Sequence, residues 1–222
     1  MHRFVSLLSV VLLLASSVVC GQDNGSSDIS VYQVDADGSD IRILVHRAGA
    51  FSWLGHSHVI SVGQLTGMIY VHADIERSRF ELEIPVHELI VDDPILRRDE
   101  GDEFSSKLSN HDIARTRSNM LGKRVLNASQ YPTVKLTGTG TSGDGPEFML
   151  GLSIEIFGRV VELRVPMALQ LDEDVLEATG AFQLSHSDLG MRPFSAILGT
   201  LRVADEINFK YQIRAQRIQV ND

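Results

Sequence analysis

Two histidines one residue apart, His56-Ser57-His58, have the spacing in this chain that chemistry could use. In an extended backbone they share one side, close enough to hold a metal ion between them. Zinc takes three or four protein or water ligands, and the only cysteine, Cys20, lies in the N-terminal segment. The best third ligand is therefore His186, which continues the even-numbered face running from Leu176 to Leu184. The reading the sequence favours over this metal set is plainer: the imidazoles hydrogen-bond to backbone or to a ligand head group beside an apolar lining.

Nucleophilic catalysis has little support. No G-x-S-x-G elbow is present, and Ser57 sits between the histidines in sequence only, since neighbours along a strand point to opposite faces. The acidic run Asp92, Asp93, Asp99, Glu100, Asp102 and Glu103, with Arg97 and Arg98, lacks the regular spacing of a calcium loop and reads as a solvated loop. His46, His72 and His87 read as surface residues.

Beside the histidines stand Phe51 and the only tryptophan, Trp53. With Phe104, Met120 and Phe194, these aromatic and thioether side chains are candidates to line an apolar channel, as are Phe182 and the small Gly180. Arg192 is a candidate to orient a head group.

The elements that must position these residues are strands. Ile41, Ile43 and Val45 alternate with Arg42, Leu44 and His46, and Phe80, Leu82, Ile84 and Val86 alternate with charged neighbours. Period two continues through 147–156, 160–171, 174–185 and Ile207 to Ala215, joined by short links such as Phe157-Gly158-Arg159. Short links predict antiparallel hairpins, and about eight strands in a meander leave no open edge if they close into a barrel. Small inward residues, Gly67, Ala178 and Gly180, are expected to leave room along its axis.

One helix is predicted within 88–132, with Asn110 as N-cap, Asp112 in its first turn, Ile113, Met120 and Leu121 on one face and Gly122 just past its end. Residues 186–204, with Gly190, Pro193 and Gly199, read as a long loop.

Residues 1–21 have the form of an export signal: Arg3, an apolar run from Val5 to Ala15, and a small-residue tail. The run is short for a bilayer span. Cys20 is either removed with the leader or becomes an acylated first residue, so the expected location is the periplasm or the exterior, soluble or lipid-anchored. Residues 22–29 form a polar linker. The formal charge is −9, and about −10 once the leader carrying Arg3 is gone, which argues against nucleic acid as a partner.

With these elements in order, the chain resembles the YceI-like family of exported lipid-binding barrels. The pieces that carry the resemblance are VYQVD at 31–35, GHSHVI at 55–60, NMLGKRVLNASQYPTVKL at 119–136, SHSDLGMRPFSAILGTLRV at 185–203 and EINFKYQIRAQR near the end, within roughly residues 30–218. GHSHVI resembles a less characterised branch. Better-understood members carry an early His-Ser before a Phe-rich strand, where this chain has Asp37-Gly38-Ser39. The resemblance implies an eight-stranded antiparallel, lipocalin-like barrel with one short helical insertion over residues 30–220. It also implies a channel for an isoprenoid quinone, polyprenyl or fatty chain.

The expected function is binding, sequestration or transport of such a lipid in the cell envelope, without catalysis. No cofactor is expected beyond the bound lipid, and a homodimer is compatible with this reading. The rivals are a histidine-based metal enzyme or redox partner on the same barrel, using His56, His58 and His186, and an empty barrel serving as an interaction module.

Overall fold

The period-two runs form strands of one antiparallel sheet in the computed structural model, which describes residues 29–143, 145, 147–196 and 200–219. The leader, Cys20 and all of the linker but Ile29 lie outside the described residues. The strands are β1 (Ile29–Ala48), β2 (His58–Val62), β3 (Thr66–His72), β4 (Arg79–Pro85), β5 (Leu89–Val91) and β6 (Thr133–Ser142). They continue with β7 (Glu147–Ile156), β8 (Arg159–Leu171), β9 (Val175–Ser185), β10 (Ser195–Ala196) and β11 (Leu201–Ile218).

Eight of them close into a barrel in the order β1-β3-β4-β6-β7-β8-β9-β11, with β11 pairing back onto β1 from Val31↔Ile218 to Ala48↔Arg202. Closure removes the open edges that a long sheet would otherwise present. One edge of the 20-residue β1 serves two partners: Ile29 to Gln33 pair with β3, and Arg42 to Val45 pair with β2, which carries β5. Between these two pairings β1 is irregular against β11, from Asp35 to Asp40, where the Ser39 hydroxyl donates to Asp35 O (2.7 Å) and accepts from Arg214 N–H (3.0 Å). The departure Asp37-Gly38-Ser39 is thus a bulge.

The Phe157-Gly158 turn has φ of 53° and 69°, the positive pair of a primed hairpin turn, whose twist matches its flanking strands. Inside the barrel the alternating residues meet as one core, including Leu82, Ile84, Leu152, Ile154, Val165, Leu176, Ile213 and Ala215. A second, small core of Leu44, Val59 and Phe104 with Leu96 lies on the other face of β1 and β2.

Two α-helices form where the sequence pattern predicts one. α1 (Pro94–Asp99) starts at Asp93, whose carboxylate accepts from the N–H of Ile95 (2.8 Å) and Leu96 (3.2 Å), with Pro94 in the first turn. α2 (Asn110–Leu121) is capped by Ser109, not Asn110, through a reciprocal capping box with Asp112. Gly122 ends α2 with extended backbone (φ −69°, ψ 166°). The 186–204 segment contains the short β10, paired with the start of β11.

Candidate ligand site

The inward faces of the barrel enclose a cavity of about 500 Å³. It reaches from the β3–β4 turn (Ile75, Ser78) to the opposite rim, where β1, β2, α2 and the loop after β9 meet. Its wall is aliphatic, with Ile41, Ile43, Val45, Ile69, Leu152, Val165, Met167 and Ala178 among the lining residues. This volume is in the range of small-molecule sites, and an eight-stranded barrel is wide enough for one slender ligand.

Six of the sequence candidates border the cavity: His56, His58, Met120, Phe182, His186 and Phe194, with Arg192 at the rim as a seventh. Phe182 lies flat against Phe209, ring centroids 4.8 Å apart, so the pair offers a smooth aromatic panel. Leu54, Leu189 and Met191 border it too and were not singled out by sequence.

Four candidates are placed elsewhere. Phe51 and Trp53 do not line the cavity; they are 42% and 70% exposed around a single helical turn, Ser52–Leu54, that projects from the end of β1. Phe104 is buried in the small outer core and packs edge-on against His46 (5.5 Å), because the acidic segment folds over the outside of β1 and β2. Gly180 is on the inward face but leaves no open space. A Cβ there would lie 2.4 Å from the Pro166 carbonyl oxygen and 2.5 Å from the Tyr211 hydroxyl, which donates to that same carbonyl (2.8 Å). Gly67 is equally crowded: a Cβ there would lie 2.1 Å from the Glu81 carbonyl oxygen. These glycines admit close neighbours; of the three small residues, only Ala178 borders the cavity.

The histidines are held from behind by a network the sequence reading placed in solvent. Asp92, 1% exposed, accepts from Nδ1 of His58 (2.7 Å), the N–H of Val59 (3.0 Å) and Nη1 of Arg97 (2.6 Å). Arg97, itself buried, also donates to Ser57 O (2.7 Å) and to the carbonyl (3.2 Å) and hydroxyl (3.1 Å) of Ser106. That hydroxyl meets Nδ1 of His56 at 3.1 Å. The two imidazoles are therefore linked through one chain of polar groups, His58, Asp92, Arg97, Ser106, His56, whose middle members Asp92 and Arg97 are buried.

Burial pushes the Asp92 carboxyl up, but His58, the Val59 N–H and Arg97 together outweigh it and hold the pKa below its ordinary value. An ionised carboxylate only accepts, so Nδ1 of His58 carries the proton and Nε2 is left for the cavity. Burial lowers the pKa of His56, and His58, Arg97 and Arg47 lower it further against a raising contribution from Asp112.

Ser57 is fully buried on the other side of the chain, where its hydroxyl donates to Glu103 (2.8 Å) and accepts from the N–H of Arg47 (3.1 Å). No Ser–His pair forms there. His46 is half-buried, not on the surface: Nδ1 meets Glu103 (2.8 Å) and Nε2 meets Asn208 (2.9 Å). The acidic run is likewise only partly solvated, since Glu100 lies buried between Arg42 (3.1 Å) and Lys210 (2.5 Å). His186 is fixed by its Nδ1 on the Asp205 carbonyl (3.0 Å). It does not complete a metal set with His56 and His58: among the described residues, no three His, Cys, Asp or Glu side chains are grouped so that they could hold an ion.

The signal for the missed network was present. Asp93-Pro94 is a helix start, which places Asp92 and Arg97 at either end of one short turn. Asp92 itself has φ of 59°, a left-handed conformation that Asp tolerates better than most residues, and this directs the chain back under β2.

No family model and no curated protein matches this sequence. Solved structures do match. BcnA of Burkholderia cenocepacia aligns at 12% identity and a TM-score of 0.60, over 82% of this chain and 98% of that one. The barrel is similar, too, to a polyisoprenoid binding domain from Saccharophagus degradans implicated in plant cell wall breakdown (10% identity, TM-score 0.56, 84% and 98%). A third is the Campylobacter jejuni YceI protein (10% identity, TM-score 0.51, 72% and 85%).

The chain has the YceI-type fold. In this YceI-type barrel the alignments cover most of the chain, so the likeness extends over the closed barrel as a whole and not one hairpin.

Proposed function

We propose that this chain is an exported carrier of a long apolar molecule, an isoprenoid or fatty lipid, which lies along the barrel axis. The observation that carries the reading is the continuous aliphatic cavity of about 500 Å³ inside a closed barrel. The polyisoprenoid binding of a barrel with the same fold supports it.

Magnitudes favour a long chain. Each buried methylene contributes ~0.8 kcal/mol, so ten carbons yield roughly 8 kcal/mol. Association itself costs ~4–15 kcal/mol in lost freedom. A short chain barely offsets that cost; fifteen to twenty carbons, at about 12–16 kcal/mol, do so usefully. His58 and His186, each fixed through Nδ1, present Nε2 to the polar end of the ligand, and nothing in this arrangement requires a reaction. Sequestration or transport in the envelope is the role that follows.

Mass spectrometry of an organic extract of the freshly purified protein tests the reading, together with the variant Ala178→Phe. Ala178 borders the cavity, and an aromatic ring there occupies the ligand's volume. Expected are a co-purifying lipid in the parent and its loss in a variant with unchanged circular dichroism. A folded Ala178→Phe protein that retains the parent's lipid would overturn the axial placement, and an extract empty of lipid after export in a native host would count against the carrier.

A further inference from the structure

The charges around the cavity are lopsided. Six cationic side chains and one carboxylate border it, in a chain whose acids outnumber its bases 29 to 20. Two of the cations are engaged, Arg79 over the Tyr70 ring (4.3 Å) and Lys210 on Glu100 (2.5 Å). The carboxylate, Asp112, is spent on the capping box at Ser109. The remaining four, Arg47, Arg115, Arg192 and Arg202, form no salt bridge among the described residues, although Arg47 donates to the Gly55 carbonyl (3.3 Å) and its charge helps lower the pKa of Glu103.

These four arrive from four segments at one rim. Ala48 lies opposite Arg202 in the β1–β11 ladder, so Arg47 and Arg202 flank one end of it. β10, three residues after Arg192, pairs through Ser195 with Arg202 itself. Arg115 comes from α2, one turn beyond Asp112, whose charge and that of Arg47 are both felt by His56.

A solvated arginine alone needs no explanation. Four that form no salt bridge among the described residues, all bordering one apolar cavity in a protein of charge −9, make its opening locally positive and suited to an anion. The planar guanidinium fork suits the two oxygens of a phosphate or carboxylate, and the rim is where the polar end of an axially bound chain must emerge.

Resting on the carrier reading above, we propose that the occupant is an anionic lipid, its phosphate-monoester or carboxylate head group held at the rim by Arg47, Arg115, Arg192 and Arg202. A neutral chain of the same length enters the same cavity but lacks this anchor.

The test is equilibrium binding of matched probes to delipidated, exported protein: geranylgeranyl phosphate against geranylgeraniol, stearate against stearyl alcohol, and inorganic phosphate alone. The anionic member of each pair is expected to bind about tenfold tighter or more. That advantage should shrink as ionic strength rises from about 0.05 to 0.5 M, while the alcohols are unmoved. Arg47→Gln/Arg202→Gln should lower affinity for the anions and not for the alcohols; Lys135→Gln, which removes one positive charge from the barrel exterior, should alter neither. The salt series on the parent protein decides the matter even if the double variant folds poorly.

Alcohols that bind as tightly as their anions would overturn the head-group assignment and leave the carrier standing. Inorganic phosphate matching geranylgeranyl phosphate would make the rim a free-anion site and also overturn it. If no chain binds at all, the carrier reading fails and takes this inference with it.

Discussion

Oδ2 of Asp92 lies 2.7 Å from Nδ1 of His58, and the two come from elements 34 residues apart in the chain. The contact joins the wall of the cavity to a carboxylate with no solvent access of its own. An imidazole held this way has one orientation, with Nδ1 donating to the carboxylate, so the ring edge facing the ligand is set before the ligand arrives. The partner that makes the arrangement tolerable is Arg97, which compensates the buried charge at 2.6 Å.

Removing that charge is therefore expected to cost more than the one hydrogen bond. Asp92→Asn leaves the Arg97 guanidinium buried without a counter-charge and should destabilise the fold by ~3–5 kcal/mol, measured by urea denaturation. The pH dependence has a definite sign. The folded carboxyl titrates below its ordinary value, so its contribution is complete above the unfolded pKa and is lost as pH falls through the folded one. The parent should lose stability on the acid side of the carboxylate range, and Asp92→Asn should have a flatter acid limb. Parallel acid limbs in the two proteins would contradict this.

His56 and His58 should separate on mutation, although the sequence presents them as a pair. His58→Leu removes a donor from a buried carboxylate and is expected to cost ~1.5–3 kcal/mol of stability. His56→Leu gives up a half-buried contact to a serine hydroxyl and should cost about 1 kcal/mol or less. In an NMR titration the His56 ring should protonate below the ordinary 6.5, because burial and its cationic neighbours disfavour the charged form. Equal losses of stability in the two variants would mean the Asp92 contact carries no special weight.

The barrel was legible because a period of two survives any detail of packing. Phe80, Leu82 and Ile84 must face one way, and hairpin links then leave few topologies. What escaped was what lies outside the wall. Leu44, Val59 and Phe104 form a second small core there, and their alternation is also that of an outward strand face; only the later turn of the chain over it shows that it is covered. Asp92, Arg97 and Glu100 read as solvated for the same reason, since their types are those of a loop and their burial depends on partners distant in sequence. Phe51 and Trp53 misled in the opposite direction: clustered aromatics beside the histidines suggested lining, yet Gly49, with φ of 96°, turns the chain at the end of β1 and the segment after it is exposed.

A prediction about processing concerns residues outside the described range. The apolar run and small-residue tail lead us to expect a mature chain that lacks residues 1–20 or 1–21, or one that begins at a diacylated Cys20. Intact mass of protein recovered from the envelope fraction distinguishes these directly. A chain that still begins at Met1 there would contradict export by this leader.

The last prediction concerns Gly180, whose lack of a side chain invites a reading as spare volume. The Tyr211 phenol already occupies the space, with its hydroxyl on the Pro166 carbonyl, and burial raises its pKa to about 12. A methyl group at 180 would stand 2.5 Å from that hydroxyl and 2.4 Å from the backbone oxygen of Pro166, a residue held in β8 by its pairing with Met149 of β7. Gly180→Ala should therefore cost ~1–3 kcal/mol through overpacking, with little change in ligand uptake once the protein is folded. Ala178→Phe, two residues along the same face, should show the reverse balance: uptake lost and the barrel retained. Thermal unfolding and lipid extraction on the two variants side by side read both quantities. Should Gly180→Ala prove as stable as the parent, Tyr211 has another place to go, and the inward face is looser than these contacts imply.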